Sequence, residues 1–126
     1  MPELAPWLVR FLRAGTPRRV DEICNALAPL LAASPEEHQA LAKGTGAEGL
    51  IHTQGCMYVY EDAKSLAKEN TSWDLRRAHG TVIERLDAGQ IREREPALAP
   101  IYEIGYFLPN IGHTVESMLL VKGLAG

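Results

Sequence analysis

Residues 49–60 read Gly-Leu-Ile-His-Thr-Gln-Gly-Cys-Met-Tyr-Val-Tyr, and this stretch decides the fold. Its β-branched and aromatic residues come in short runs on either side of Gly55, the pattern of two strand segments joined by a turn or of one strand carrying a bulge. Side chains alternate across a strand, so Tyr58 and Tyr60 share one face and Met57 and Val59 the other. Residues 101–108, Ile-Tyr-Glu-Ile-Gly-Tyr-Phe-Leu between Pro100 and Pro109, have the same character and put Tyr102, Ile104 and Tyr106 on one face. A third strand is expected at 81–85.

Helices surround these strands. Leu4, Trp7, Leu8, Phe11 and Leu12 recur at helical spacing over 4–14, and Gly15 stands at the C-cap position. Thr16-Pro17 opens a second helix to about residue 33, lined by Val20, Ile23, Cys24, Leu27, Leu30 and Leu31 and bent at Pro29. Ser34-Pro35-Glu36-Glu37 starts a third, to about Lys43, and Asp62 caps a fourth over 63–78. A short charged helix is expected at 87–94, and a last one opens near Thr114 or Glu116 in a pattern that the sequence leaves unfinished. Helices first and strands interleaved later predict an α+β fold, with helices packed on one face of a mostly antiparallel or mixed sheet.

Composition narrows the function classes. At 126 residues one domain, 1–126, is the expectation, and 46% hydrophobic with 23% charged residues is the balance of a chain with a core rather than a disordered one. The net charge of -3, with cations spread among anions, argues against nucleic-acid binding. Cys24 and Cys56 fit neither a metal spacing nor a disulfide framework and read as reduced thiols of a cytoplasmic protein. No signal peptide is evident, and no apolar run approaches the roughly 18 residues of a membrane span.

Few motifs carry chemistry. No G-x-G-x-x-G follows a strand, and neither a phosphate loop nor H-E-x-x-H is present. His38 and His79 are read as helix-end residues, favoured there by the helix dipole. His52 and His113 each lie beside a strand end with a glycine near, as turn histidines or as ligand-binding ones. The tyrosine faces can wall a pocket, offering apolar area and phenol donors to a carboxylate or amine, or can simply pack beneath helices.

The order of four motifs is more specific than any of them alone: Pro6-Trp7-Leu8-Val9-Arg10-Phe11-Leu12, then Gly55-Cys56-Met57-Tyr58-Val59-Tyr60-Glu61, then Arg92-Glu93-Arg94-Glu95-Pro96-Ala97-Leu98, then Tyr106-Phe107-Leu108-Pro109-Asn110-Ile111-Gly112-His113-Thr114-Val115. Their succession resembles the middle part of the D-amino acid dehydrogenase branch of the glycine and D-amino acid oxidase superfamily, from about Leu4 to Leu120. The resemblance implies a substrate-binding (cap) domain whose sheet covers the ring of FAD, the flavin itself being held by a separate Rossmann-like domain. It places Trp7 and Phe11 in the helical layer and Gly112-His113 at the turn leading back to the flavin domain. It implies substrate contacts among His52, Gln54, Tyr58, Tyr60, Tyr106 and His113, the tyrosines supplying hydrogen bonds. Gln54 stands where the family commonly has a basic residue, and Ser117 where a proline often opens the last helix.

The activity so implied is oxidative deamination of a D-amino acid to a 2-oxo acid and ammonia, with FAD supplied by a flavin-binding domain in the same protein or in trans and the chain alone inactive. Two alternatives stand beside it: a free-standing binding module, for example a homodimer through an apolar sheet face, and the substrate domain of a glycine or sarcosine oxidase-like enzyme, since pocket side chains rather than fold decide substrate.

Overall fold

The computed structural model describes residues 4–125 and is α+β. Its contacts group into two compact units that meet in sequence at Ala33 and Ser34.

The first unit is a pair of helices, α1 (Leu4–Ala14) and α2 (Pro17–Ala32). Thr16 caps α2 through its extended backbone, Pro17 follows at the start of the helix, and the helix runs on through Pro29. Neither helix fully buries a side chain: the apolar stripe of α1, Trp7 and Phe11 included, is exposed, as are Leu27, Leu30 and Leu31 of α2, while Val20, Ile23 and Cys24 are half-buried.

The second unit holds α3 (Ser34–Ala42), a 3-10 turn (Glu48–Leu50), β1 (Ile51–His52), β2 (Cys56–Tyr60), α4 (Ala63–Ala67), α5 (Asn70–Ala78), β3 (Glu84–Asp87), α6 (Ala88–Arg94), β4 (Ile104–Leu108), β5 (His113–Thr114) and α7 (Ser117–Ala125). The two runs around Gly55 are separate strands, and they do not pair with each other. β1 joins β5 in a two-stranded antiparallel ribbon, while β2 joins a three-stranded antiparallel sheet of order β2-β4-β3. The single sheet expected from sequence is therefore two, because β1 and β2 find different partners far along the chain, β1 pairing Ile51 with Thr114 and β2 pairing Cys56 with Leu108.

Helices also cover both faces of the larger sheet rather than one. Tyr58 pairs with Tyr106 and Tyr60 with Ile104, so these side chains share a face, on which Leu66 of α4 and Trp73 of α5 complete a core with Tyr60, Tyr106 and Leu108. Val59, Gly105 and Leu86 lie on the opposite face. There Ile91 of α6 comes so near Gly105 that an added Cβ would sit 3.2 Å from its side chain.

Local chemistry explains the remaining boundaries. The helix expected over 63–78 breaks at Lys68 and Glu69, whose amides both donate to the Leu66 carbonyl. The break makes Glu69 the N-cap residue of α5. The third strand falls at 84–87, later than expected, because β4 stops before Pro109, which has no N–H to extend the ladder. Asp87 ends β3 and at once caps α6: its Oδ1 accepts from the Gln90 amide while its own amide donates to Gln90 Oε1, both at 2.9 Å.

Candidate functional site

The predicted site residues fall into two groups. His52 and His113 face each other across the β1–β5 ribbon, their rings stacked with centroids 5.8 Å apart. Beside them a cleft of about 270 Å³ is lined by Ser34, Pro35, His38, Ile51, Gly112, His113, Thr114 and Leu120. His38 lies in the middle of α3 rather than at its end. Its Nδ1 is 2.7 Å from the Ser34 carbonyl, which can only accept, so Nδ1 donates there. Thr114 Oγ1 is buried and has no hydrogen-bond partner among the described residues. Gln54 is exposed in the link between β1 and β2, a segment tied down by the Gly55 amide donating to the Ile111 carbonyl (3.1 Å) and Gln39 Nε2 to Thr53 Oγ1 (3.2 Å). The cleft thus gathers hydroxyls and imidazoles with an apolar wall, a set suited to the polar end of a small ligand. Among the described residues no three His, Cys, Asp or Glu side chains come together as a metal site.

The tyrosines form the other group. Tyr60 and Tyr106 are 9% and 8% exposed, and Tyr58, at 37%, keeps one edge open. Trp73 meets both Tyr58 and Tyr106 edge to face, with centroids 5.0 and 4.9 Å away. Its Nε1 donates to the Tyr60 hydroxyl (2.9 Å), which in turn donates to Glu69 Oε2 (2.7 Å). Burial, and then the hydrogen bond to Glu69, raise the Tyr60 phenol above its ordinary pKa. Arg76 lies over the Trp73 and Tyr58 rings, 4.5 and 5.2 Å from their centroids, and Arg77 lies 5.2 Å over Tyr106. Of the two uses open to this tyrosine face, packing beneath a helix is what Tyr60 and Tyr106 do here.

Sequence reasoning did not single out Ser34 or Thr114, and it took His38 for a helix-end residue. Ser34 and His38 meet His113 and its neighbour Thr114 only because α3 packs near the ribbon and α7, a contact across some eighty positions that no local pattern announces.

One loop bears on FAD. Gly44-Thr45-Gly46-Ala47-Glu48-Gly49 has the G-x-G-x-x-G spacing, yet it follows α3 rather than a strand and leads into a single 3-10 turn. A phosphate would need the loop amides. They are turned instead on Glu48: the Gly44 amide donates to its Oε1 (2.6 Å), and bonds from its own amide first, then from those of Gly44 and Gly46, hold its carboxyl below the ordinary range. The pyrophosphate of a flavin dinucleotide does not fit this loop.

The chain is 32% identical, over 126 residues, to the D-amino-acid oxidase of Bradyrhizobium diazoefficiens, an alignment covering 99% of this chain and 30% of that protein. The chain therefore spans about a third of that relative's length. In fold it is similar to the glycine oxidase of Bacillus cereus (TM-score 0.59, 22% identity, 89% of this chain and 29% of that one). It is also similar to the L-proline dehydrogenase of P. horikoshii (TM-score 0.53, 13% identity, 72% and 25%). The profile of the FAD dependent oxidoreductase family (DAO) matches residues 4–126, nearly the whole sequence, and the chain belongs to that family.

Proposed function

We propose that this chain forms part of the substrate-binding side of an FAD-dependent oxidoreductase that deaminates D-amino acids to 2-oxo acids and ammonia. The observation that carries the reading is the 32% identity to a D-amino-acid oxidase along 99% of this chain but only 30% of that protein. It is supported by a glycine loop that closes on its own Glu48 instead of offering amides to a phosphate. FAD, held elsewhere in the parent protein or in trans, supplies the oxidation when bound. The residues here bind and orient: His52, Gln54, Tyr58 and His113 present polar atoms for the carboxylate and amine of the substrate. Tyr60 and Tyr106 hold the core of the sheet that carries Tyr58.

The test is a dye-reduction assay of the chain mixed with the flavin-binding portion of a parent enzyme, against D-alanine, L-alanine, glycine and sarcosine. Turnover of D-alanine only when both parts are present is the expected result. His113→Ala should then lower kcat/KM by about tenfold or more, the loss of one hydrogen bond to a charged group. Preference for glycine or sarcosine would reassign the substrate to unsubstituted or secondary amines. Turnover of L-alanine alone, or none with any substrate, would remove the reading.

A further inference from the structure

Helix α1 is 11 residues long, about 16 Å at the usual rise of an α-helix and so well short of a membrane span. At roughly 100° per residue, Leu4, Trp7, Leu8, Phe11 and Leu12 fall within one arc, and Arg10 and Arg13 lie together on the other side. All five apolar side chains are between 49% and 63% exposed, and the Trp7 and Phe11 rings stack with centroids 5.3 Å apart. Within α1 and the turn that follows it the charge has one sign. From Leu4 to Val20 the sequence holds Arg10, Arg13, Arg18 and Arg19 and no Asp or Glu, in a chain whose net charge is -3. Arg18 and Arg19 are both paired with Glu22, at 3.1 and 2.9 Å. Arg10 and Arg13 enter no salt bridge among the described residues.

We propose that α1 lies flat on an anionic lipid surface, with Trp7 and Phe11 at the headgroup boundary and Arg10 and Arg13 reaching lipid phosphates. An exposed apolar stripe alone would fit many covers; the unpaired cations on the same short helix are what select a negatively charged one. α7 makes the contrast, since it exposes Met118, Leu119 and Val121 but carries only Lys122 as a cation. A short helix with aromatic and leucine residues on one side and arginines on the other binds in the interface plane by apolar burial plus attraction to anionic headgroups, and long arginine stems let the guanidinium stay in the wet layer. This inference is independent of the catalytic reading.

Co-sedimentation of the 126-residue chain tests it, using vesicles of phosphatidylcholine alone and vesicles with about one third phosphatidylglycerol. The chain should sediment with the anionic vesicles only, and should be released as ionic strength rises from about 0.1 M to about 1 M. Arg10→Gln with Arg13→Gln should weaken partitioning about 30-fold, and Trp7→Ser with Phe11→Ser should abolish it. All four side chains are exposed, so circular dichroism should be unchanged in both variants. Equal binding to neutral vesicles, binding unaffected by the arginine changes, or no sedimentation would overturn the proposal. So would a concentration-dependent dimer dissolved by the Trp7/Phe11 variant, which would give the face to a second copy.

Discussion

Replacing Trp73 by alanine should lower the unfolding free energy by about 3–5 kcal/mol. Its indole is the hub of the larger core: it is 0% exposed, meets two tyrosine rings edge to face and donates to the Tyr60 hydroxyl. Truncation therefore removes buried area, leaves a cavity between α5 and the sheet, and takes away the donor that the Tyr60 oxygen accepts. The few fully buried residues of the second unit leave little to absorb this, and a domain's total stability is only about 5–15 kcal/mol. Denaturant unfolding followed by circular dichroism reads the change. Trp73→Phe, which keeps most of the ring and loses the donor, should cost about 1–2 kcal/mol. An alanine variant within about 1 kcal/mol of the parent would contradict the central position of Trp73.

Gly55→Ala should be the next most damaging change, at about 2–5 kcal/mol, the sum of a strained backbone and an overpacked contact. Gly55 has φ +81°, where residues with a Cβ are unfavourable, and the new methyl would lie 2.5 Å from Phe107 Cζ and 2.8 Å from the Leu108 carbonyl oxygen. The phenyl ring can swing aside, but the backbone oxygen belongs to β4 and cannot move without disturbing the ladder. The Gly55 amide also bonds to Ile111, just before β5, so the strain reaches the ribbon that carries His52 and His113. Gly80→Ala separates the two causes: φ is again +81° but nothing lies within 4 Å. It should cost only the backbone part, about 1 kcal/mol. Equal losses at the two positions in denaturant melts would contradict the crowding at Gly55.

Much of this architecture was legible because its signals are local. Thr16-Pro17 and Asp62 announce helix starts in a few residues, and the alternation within each strand correctly put Tyr58 with Tyr60, and Ile104 with Tyr106, on one side of its own strand. Pairing was not legible. Nothing near Ile51 says that its strand joins Thr114, so a sequence reading merged two sheets into one. The tyrosine face was open to two uses for the same reason, because the indole that occupies it comes from a different element. His52 and His113 were singled out separately beside glycines, but their stacking, and the cleft with Ser34, His38 and Thr114, exist only through the long-range packing of α3, the ribbon and α7. Family membership was legible from four motifs in order, which needs no knowledge of contacts.

A chain that serves the substrate side of an FAD-dependent oxidoreductase, as proposed, should not itself hold the flavin. Titrating the purified chain into FAD, with and without D-alanine, while following flavin fluorescence and dye reduction, tests it most directly. Flavin fluorescence should stay unchanged and no dye should be reduced; stoichiometric quenching of the flavin with turnover of D-alanine would mean that the chain holds the cofactor itself.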